Sequence, residues 1–119
     1  MRIAPCAILL AAWLPAQALS ETPQSTCGVG PVTRTYGGTD WLLYSCDNDD
    51  GTLVLLSAPG SPASPFYFAM YPDKGRYQLE GEGTGDRQAT DRAYADLRRL
   101  TEPDIAALIA ETKRQPKSK

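Results

Sequence analysis

The fold is decided by the stretch Trp41-Leu-Leu-Tyr-Ser-Cys46, Asp47-Asn-Asp-Asp-Gly51, Thr52-Leu-Val-Leu-Leu-Ser57. Aromatic and aliphatic residues fill its first and last segments, and the acidic middle segment ends in a glycine, which supplies the positive φ that tight turns need. The pattern predicts two apolar strands joined by an acidic turn. The second strand is apolar on both faces, which predicts a strand in the middle of a sheet, covered by another layer.

Three further strands are predicted around this hairpin. Segment 28–36 has a proline in its middle and is expected at a sheet edge, because proline cannot donate a ladder hydrogen bond. Segment 66–71 alternates Phe, Phe and Met with Tyr, Ala and Tyr, and segment 76–81 returns after a turn at 72–75, with Tyr77 and Leu79 facing inward. Together these segments predict an antiparallel meander of about four to five strands.

Two helices are predicted at the C-terminal end, after a glycine-rich connection over 81–85. Apolar side chains recur at helical spacing between 87 and 100. Thr101 begins the second helix, with Pro103 in its first turn and Asp104 positioned to complete a capping box. The predicted fold class is therefore α+β, a small antiparallel β-meander with two C-terminal α-helices packed on one face.

Residues 1–20 have the organisation of a secretory signal peptide. Arg2 precedes an apolar run over 8–14, and small residues follow, with cleavage expected after Ala18 or Ser20. An apolar run this short cannot cross about 30 Å of hydrocarbon as a stable helix, so we expect no stable membrane span after signal cleavage. An uncleaved membrane anchor is the alternative interpretation.

The remainder of the chain is long enough for one domain. We predict a flexible leader over 21–26, a single α+β domain over 27–114 and a disordered tail over 115–119. Without residues 1–20 the chain has 11 basic and 14 acidic residues, a formal charge of −3. This balance lacks the basic surface of a nucleic-acid-binding protein, so no nucleic-acid partner is expected.

Two cysteines remain after the predicted signal, Cys27 and Cys46. An exported protein meets an oxidising compartment, the periplasm or the outside of the cell, so a disulfide is expected. Closing a loop of this length stabilises a domain by about 3 kcal/mol. The alternative, a reactive or metal-binding thiol pair, lacks both CxxC spacing and a histidine partner.

Catalytic chemistry is restricted because the chain contains no histidine. Ser-His and Cys-His nucleophile pairs and imidazole zinc sites are therefore excluded. Glu80 and Glu82 are spaced to share a strand face, which leaves a carboxylate-based enzyme as an alternative, but a solvated strand end is the preferred interpretation. We predict that the protein is not an enzyme and has neither a cofactor nor a catalytic residue.

Two glycine-containing segments resemble ligand motifs without matching them. The segment 47–51 fails the EF-hand register, because Cys46 and Ser57 fall where carboxylates are required. It is interpreted as an acidic turn, although a weak cation site over 47–50 stays open, and no metal site is predicted. The segment 81–85 lacks the spacing of a dinucleotide fingerprint or a Walker motif and is interpreted as an ordinary loop.

A candidate binding surface combines a proline-rich loop over 58–65 with outward tyrosines. Aromatic rings bring a large contact area at low rotamer cost. The alternative is a plain strand connection followed by sheet-face packing. The candidate residues are Pro59, Pro62, Pro65, Tyr67 and Tyr71. The predicted function is that of a small exported, non-catalytic protein that acts by binding or accessory interaction, with another envelope protein as the expected partner.

One short segment is similar to a known family. Tyr44-Ser-Cys-Asp47, leading into a turn and an apolar strand, resembles the hairpin of the small periplasmic inhibitors of C-type lysozyme. The Ser-Gly-containing inhibitory loop of that family has no counterpart here, and its barrel has no helical C-terminus. The resemblance implies an enzyme inhibitor as the alternative function, and a structural component of an envelope assembly is a third.

Overall fold

The described part of the chain forms a five-stranded antiparallel sheet followed by two helices. The computed structural model describes residues 26–116. The elements are β1 (Val29–Tyr36), β2 (Thr39–Ser45), β3 (Leu53–Ser57), β4 (Phe66–Asp73), β5 (Arg76–Gly83), α1 (Arg87–Leu97) and α2 (Glu102–Lys113). Each strand pairs with the next one along the chain, which gives the order β1-β2-β3-β4-β5. This meander confirms the predicted α+β class.

Parts of the predicted domain organisation lie outside the described residues. These are the signal peptide over 1–20, the leader as far as residue 25 and the tail from residue 117. The leader's last residue, Thr26, is described and is hydrogen-bonded to Asp47 through both its backbone and its side chain.

Strand β3 lies at the centre of the sheet, as predicted. Leu53 and Leu55 are fully buried under the helices, whereas Val54 and Leu56 point to the opposite face. Leu56 is 40% exposed, so no second layer covers it within residues 26–116. The expectation that both faces of this strand would be covered is therefore wrong for the described chain, because both helices pack on the same side of the sheet.

The hydrophobic core lies between the helices and the covered face of the sheet. Trp41 is completely buried at its centre, with its ring 5.1 Å from that of Phe68. Its indole N–H is shared between the Tyr36 carbonyl at 3.2 Å and the Thr39 hydroxyl at 3.0 Å, which satisfies a buried donor. The fully buried partners include Leu43, Leu53, Leu55, Ala93, Leu97 and Ile105.

The turn between β1 and β2 is packed directly against α1. Gly37 has a φ of +63°, and a Cβ atom added there would overlap the backbone nitrogen of Ala93. Its N–H donates to the Asp96 carboxylate at 2.6 Å. Only glycine fits this position, since it must combine a left-handed conformation with close backbone approach.

Helix α2 is fixed at both of its ends. The predicted capping box is confirmed: the Asp104 N–H donates to the Thr101 hydroxyl at 3.2 Å, and the Thr101 N–H donates to the Asp104 carboxylate at 2.9 Å. The hydrogen bond that the Thr101 N–H donates to its carboxylate lowers the pKa of Asp104. Near the other end, the Thr112 hydroxyl is 2.7 Å from that of Ser45, and both side chains are buried.

The predicted disulfide between Cys27 and Cys46 is present and links the segment before β1 to the end of β2. Next to it, the Asp47 N–H donates to the Thr26 carbonyl at 2.9 Å. These links hold residues 26 and 27 next to residues 46 and 47, which follow β2. A disulfide is compatible with an oxidising, extracytoplasmic compartment.

Several predicted boundaries are corrected. The β4–β5 turn is shorter than the predicted 72–75, because its tip is Lys74 and Gly75, both with positive φ, as in a two-residue hairpin. Helix α1 ends at Leu97 rather than Leu100. Strand β5 extends to Gly83, beyond the predicted strand 76–81, so the glycine-rich connection is shorter than the predicted 81–85. Gly81 lies inside this strand. A Cβ atom there would lie 2.7 Å from the rings of Phe66 and Phe68, so this glycine permits close packing.

Candidate functional site

The face of the sheet opposite the helices carries the candidate site and is called the open face. Successive side chains of a strand point alternately to the open face and to the covered face. Its apolar and aromatic side chains come from the three central strands and form one continuous patch. They are Leu42, Tyr44, Val54, Leu56, Tyr67, Ala69 and Tyr71.

Strand register arranges these side chains in rows across the sheet. One row runs from Leu42 through Leu56 and Tyr67 to Glu82. The neighbouring row runs from Tyr44 through Val54 and Ala69 to Glu80. Each row is therefore apolar over three strands and ends in a carboxylate on β5.

The two carboxylates fix the two tyrosines. The Tyr67 hydroxyl donates to the Glu82 carboxylate at 3.2 Å, and the Tyr71 hydroxyl donates to the Glu80 carboxylate. Each hydrogen bond to a glutamate, with the negative charge beside it, raises the pKa of the tyrosine concerned. Both hydroxyls therefore stay protonated at neutral pH, and the two rings are held in place on the open face.

A shallow, wide-open groove with a volume of about 400 Å³ adjoins the Tyr67 end of the open face. Its walls are almost entirely apolar, and Glu82 is the one charged residue that lines it. The lining residues are Leu56, Pro65, Phe66, Tyr67, Glu82, Gly83 and Thr84. The groove is thus continuous with the first row of open-face side chains and has a carboxylate at its edge.

The predicted binding residues fall into two places. Tyr67 and Tyr71 share the open face, and Pro65 lies beside Tyr67 in the groove. Pro59 and Pro62 instead line a separate depression next to the β1–β2 turn. The structure therefore brings three of the five candidates together and separates the other two.

Sequence reasoning misses the contribution of Leu42 on β2 and Leu56 on β3 to this surface. It predicts Leu42 and Leu56 only as strand residues, although each faces away from the buried residues beside it. The signal is present in the alternation with Trp41 and Leu43, which are both fully buried. Glu82, interpreted as part of a solvated strand end, is in fact the partner of Tyr67.

The open face carries more acidic than basic charge on its strands. Asp40, Glu80 and Glu82 point to this side, whereas Arg34 points to the covered face and pairs with Glu111 on α2. The nearest cation on the described part of this face, Arg76, lies at the β4–β5 turn. The surface is therefore apolar in its centre and negative along two of its margins.

The acidic turn uses its carboxylates in contacts within the protein. Asp47 accepts hydrogen bonds from Thr26, Asp50 accepts one from the Thr52 N–H at 3.0 Å, and Asp49 pairs with Lys113. Within residues 26–116, no three metal-ligating side chains come together. The weak cation site left open over 47–50 gains no support from this arrangement.

Comparison of the chain with protein-family models, with curated proteins and with solved structures found no match. In the described part of the chain, neither helix combines the length and the apolar character that a membrane span requires. The open face, its two Tyr–Glu pairs and the adjoining groove are therefore the features from which a function is argued.

Proposed function

We propose that this is a small exported, non-catalytic protein that binds another protein through its open face. One observation carries the proposal. A continuous apolar and aromatic patch spans the three central strands, and nothing covers it within residues 26–116. Contiguous exposed apolar patches on a soluble protein are a mark of interaction sites.

The strands and the tyrosines of the patch are restrained by contacts within the protein. Helices α1 and α2 pack on the covered face, and hydrogen bonds to Glu82 and Glu80 restrain Tyr67 and Tyr71. A surface that is already ordered loses little side-chain entropy when a partner binds, so more of its contact energy is available for affinity. Aromatic side chains restrained in this way are typical of protein-binding surfaces.

The position of the two glutamates supports a non-catalytic role. Glu80 and Glu82 lie on an exposed strand at the edge of the sheet and each accepts a tyrosine hydrogen bond. Paired catalytic carboxylates need a cleft that surrounds the substrate and shifts their acidity. The absence of histidine from the whole sequence is consistent with the same proposal.

Export to the periplasm, or out of the cell, is proposed from two observations. Residues 1–20 have the pattern of a secretory signal, and Cys27 and Cys46 are joined. The expected partner is therefore another envelope or extracellular protein.

The proposal is tested by capture of a partner from envelope extract with tagged protein. Replacing Tyr67 and Tyr71 by alanine is expected to abolish the capture. The matched control is Tyr94→Ala, because Tyr67 and Tyr94 are both 41% exposed, but Tyr94 lies on α1 behind the sheet. Equal capture by the open-face variant and the wild type would contradict the proposal.

A further inference from the structure

We propose that the partner presents a segment carrying both apolar and basic side chains, and that one long cationic side chain lies in the groove with its charge at Glu82. This inference rests on the proposed function and names the chemistry of the partner. Three features support it: the charges of the open face, the shape of the groove and the spacing of the two glutamates.

Charge complementarity selects a basic partner. Three carboxylates, those of Asp40, Glu80 and Glu82, border the apolar part of the open face. The one cation of the described strands on this face, Arg76, stands opposite Asp73 at the β4–β5 turn, and the two ion pairs of the described chain, Arg34–Glu111 and Lys113–Asp49, lie elsewhere. A second copy would present the same excess of carboxylates on this face and no surplus of cations to pair with them. An anionic membrane surface would be repelled for the same reason. A basic protein segment is instead attracted to these carboxylates.

The groove matches a long cationic side chain. Leu56, Pro65 and Tyr67 provide an apolar wall for the methylene stem, and Glu82 stands at the edge where the charged end emerges. The Tyr67 ring also offers a face for a cation–π contact. Glu82 accepts one hydrogen bond from Tyr67, so its carboxylate retains lone pairs for an ammonium or guanidinium group.

The second glutamate sets the spacing of a second cation. Glu80 and Glu82 are two residues apart on one face of β5, a separation of about 7 Å along a strand. Cations two residues apart in an extended segment have the same separation. The apolar rows beside both glutamates then receive the hydrophobic side chains of the partner.

The experiment measures binding of synthetic peptides to the complete exported protein. The first peptide has lysines two residues apart, flanked by leucine and tyrosine, and the second has glutamate in place of each lysine. We expect the lysine peptide alone to bind, with an affinity that falls as salt is added. Glu82→Gln keeps an acceptor for Tyr67 but removes the charge, and should weaken binding about three- to fivefold.

A matched control removes a charge from the other side of the protein. Asp91→Asn changes the net charge equally on an exposed position of α1 and should leave the affinity unchanged. Equal binding of both peptides, or equal effects of the two substitutions, would overturn the inference while leaving binding through the apolar patch intact. If peptide binding fails and capture from extract is also insensitive to Tyr67, both proposals are wrong.

Two other occupants would also contradict the inference. Concentration-dependent dimerisation that Leu56→Ser abolishes would identify a second copy as the occupant. An increase in peptide affinity on removal of residues 117–119, which include two lysines, would identify the chain's own tail. Unchanged affinity of the shortened chain, together with a monomeric state, supports a separate basic partner.

Discussion

Replacing Gly37 by alanine is predicted to destabilise the domain far more than the same change at the adjacent Gly38. Both glycines have positive φ, 63° and 81°, so alanine is strained at both positions. A Cβ atom at Gly38 meets nothing within 4 Å, whereas one at Gly37 would overlap the backbone of Ala93. The pair therefore separates close packing from conformational strain within a single turn.

The magnitude follows from the contacts of the turn. An L-residue in the left-handed region costs about 1–2 kcal/mol, and this is the expected effect of Gly38→Ala. Moving the turn away from α1 also breaks the hydrogen bond from the Gly37 N–H to the Asp96 carboxylate, and a bond to a charged group contributes about 1.5–3 kcal/mol. The predicted loss for Gly37→Ala is therefore about 3–5 kcal/mol.

Urea unfolding followed by tryptophan fluorescence measures both variants. Trp41 reports on the core, since the other tryptophan of the sequence lies in the predicted signal peptide. The reduction in unfolded-chain entropy is the same for the two substitutions, so it cancels in their comparison. If Gly37→Ala and Gly38→Ala unfold within about 0.5 kcal/mol of each other, the packing of this turn on α1 is wrong.

Three further predictions concern the disulfide, a buried hydrogen bond and a tyrosine. Reducing the disulfide, whose cysteines are 19 residues apart, should lower the free energy of unfolding by about 3 kcal/mol, measured by urea unfolding with and without reductant. Thr112→Val should cost about 1–3 kcal/mol because it leaves the buried Ser45 hydroxyl without its partner, and adding Ser45→Ala should recover part of the loss. Glu82→Gln should lower the pKa of Tyr67, followed by the NMR signal of its ring, because the carboxylate no longer disfavours the phenolate; an unchanged titration would exclude the Tyr67–Glu82 pair.

The buried face of the central strand can be predicted from the sequence because the information is local. Alternation fixes which side chains share a face, so the sequence alone places Leu53 and Leu55 opposite Val54 and Leu56. The proline in β1 correctly marks an edge strand. The capping box at Thr101 is local in the same sense, since all of its atoms lie within one turn of helix.

The uncovered face cannot be predicted in this way, because alternation does not show whether another element packs on a given face of the sheet. An apolar second face on β3 is equally consistent with another layer and with a partner-binding surface. The position of Pro65 beside Tyr67, and of Pro59 away from it, depends on the path of the loop and not on its composition. The sequence pattern ends the strand at Gly81, whereas β5 continues to Gly83, because its pairing with β4 is a tertiary contact that the glycine-rich composition does not reveal.

The central claim is that the open face contacts a partner, and crosslinking in the native compartment tests it most directly. A photoreactive phenylalanine analogue replaces Leu56 on the open face or, as the control, Asp91 on α1. The account predicts a crosslinked partner from position 56 and none from position 91. Crosslinks of equal yield from both positions, or from position 91 alone, would contradict it.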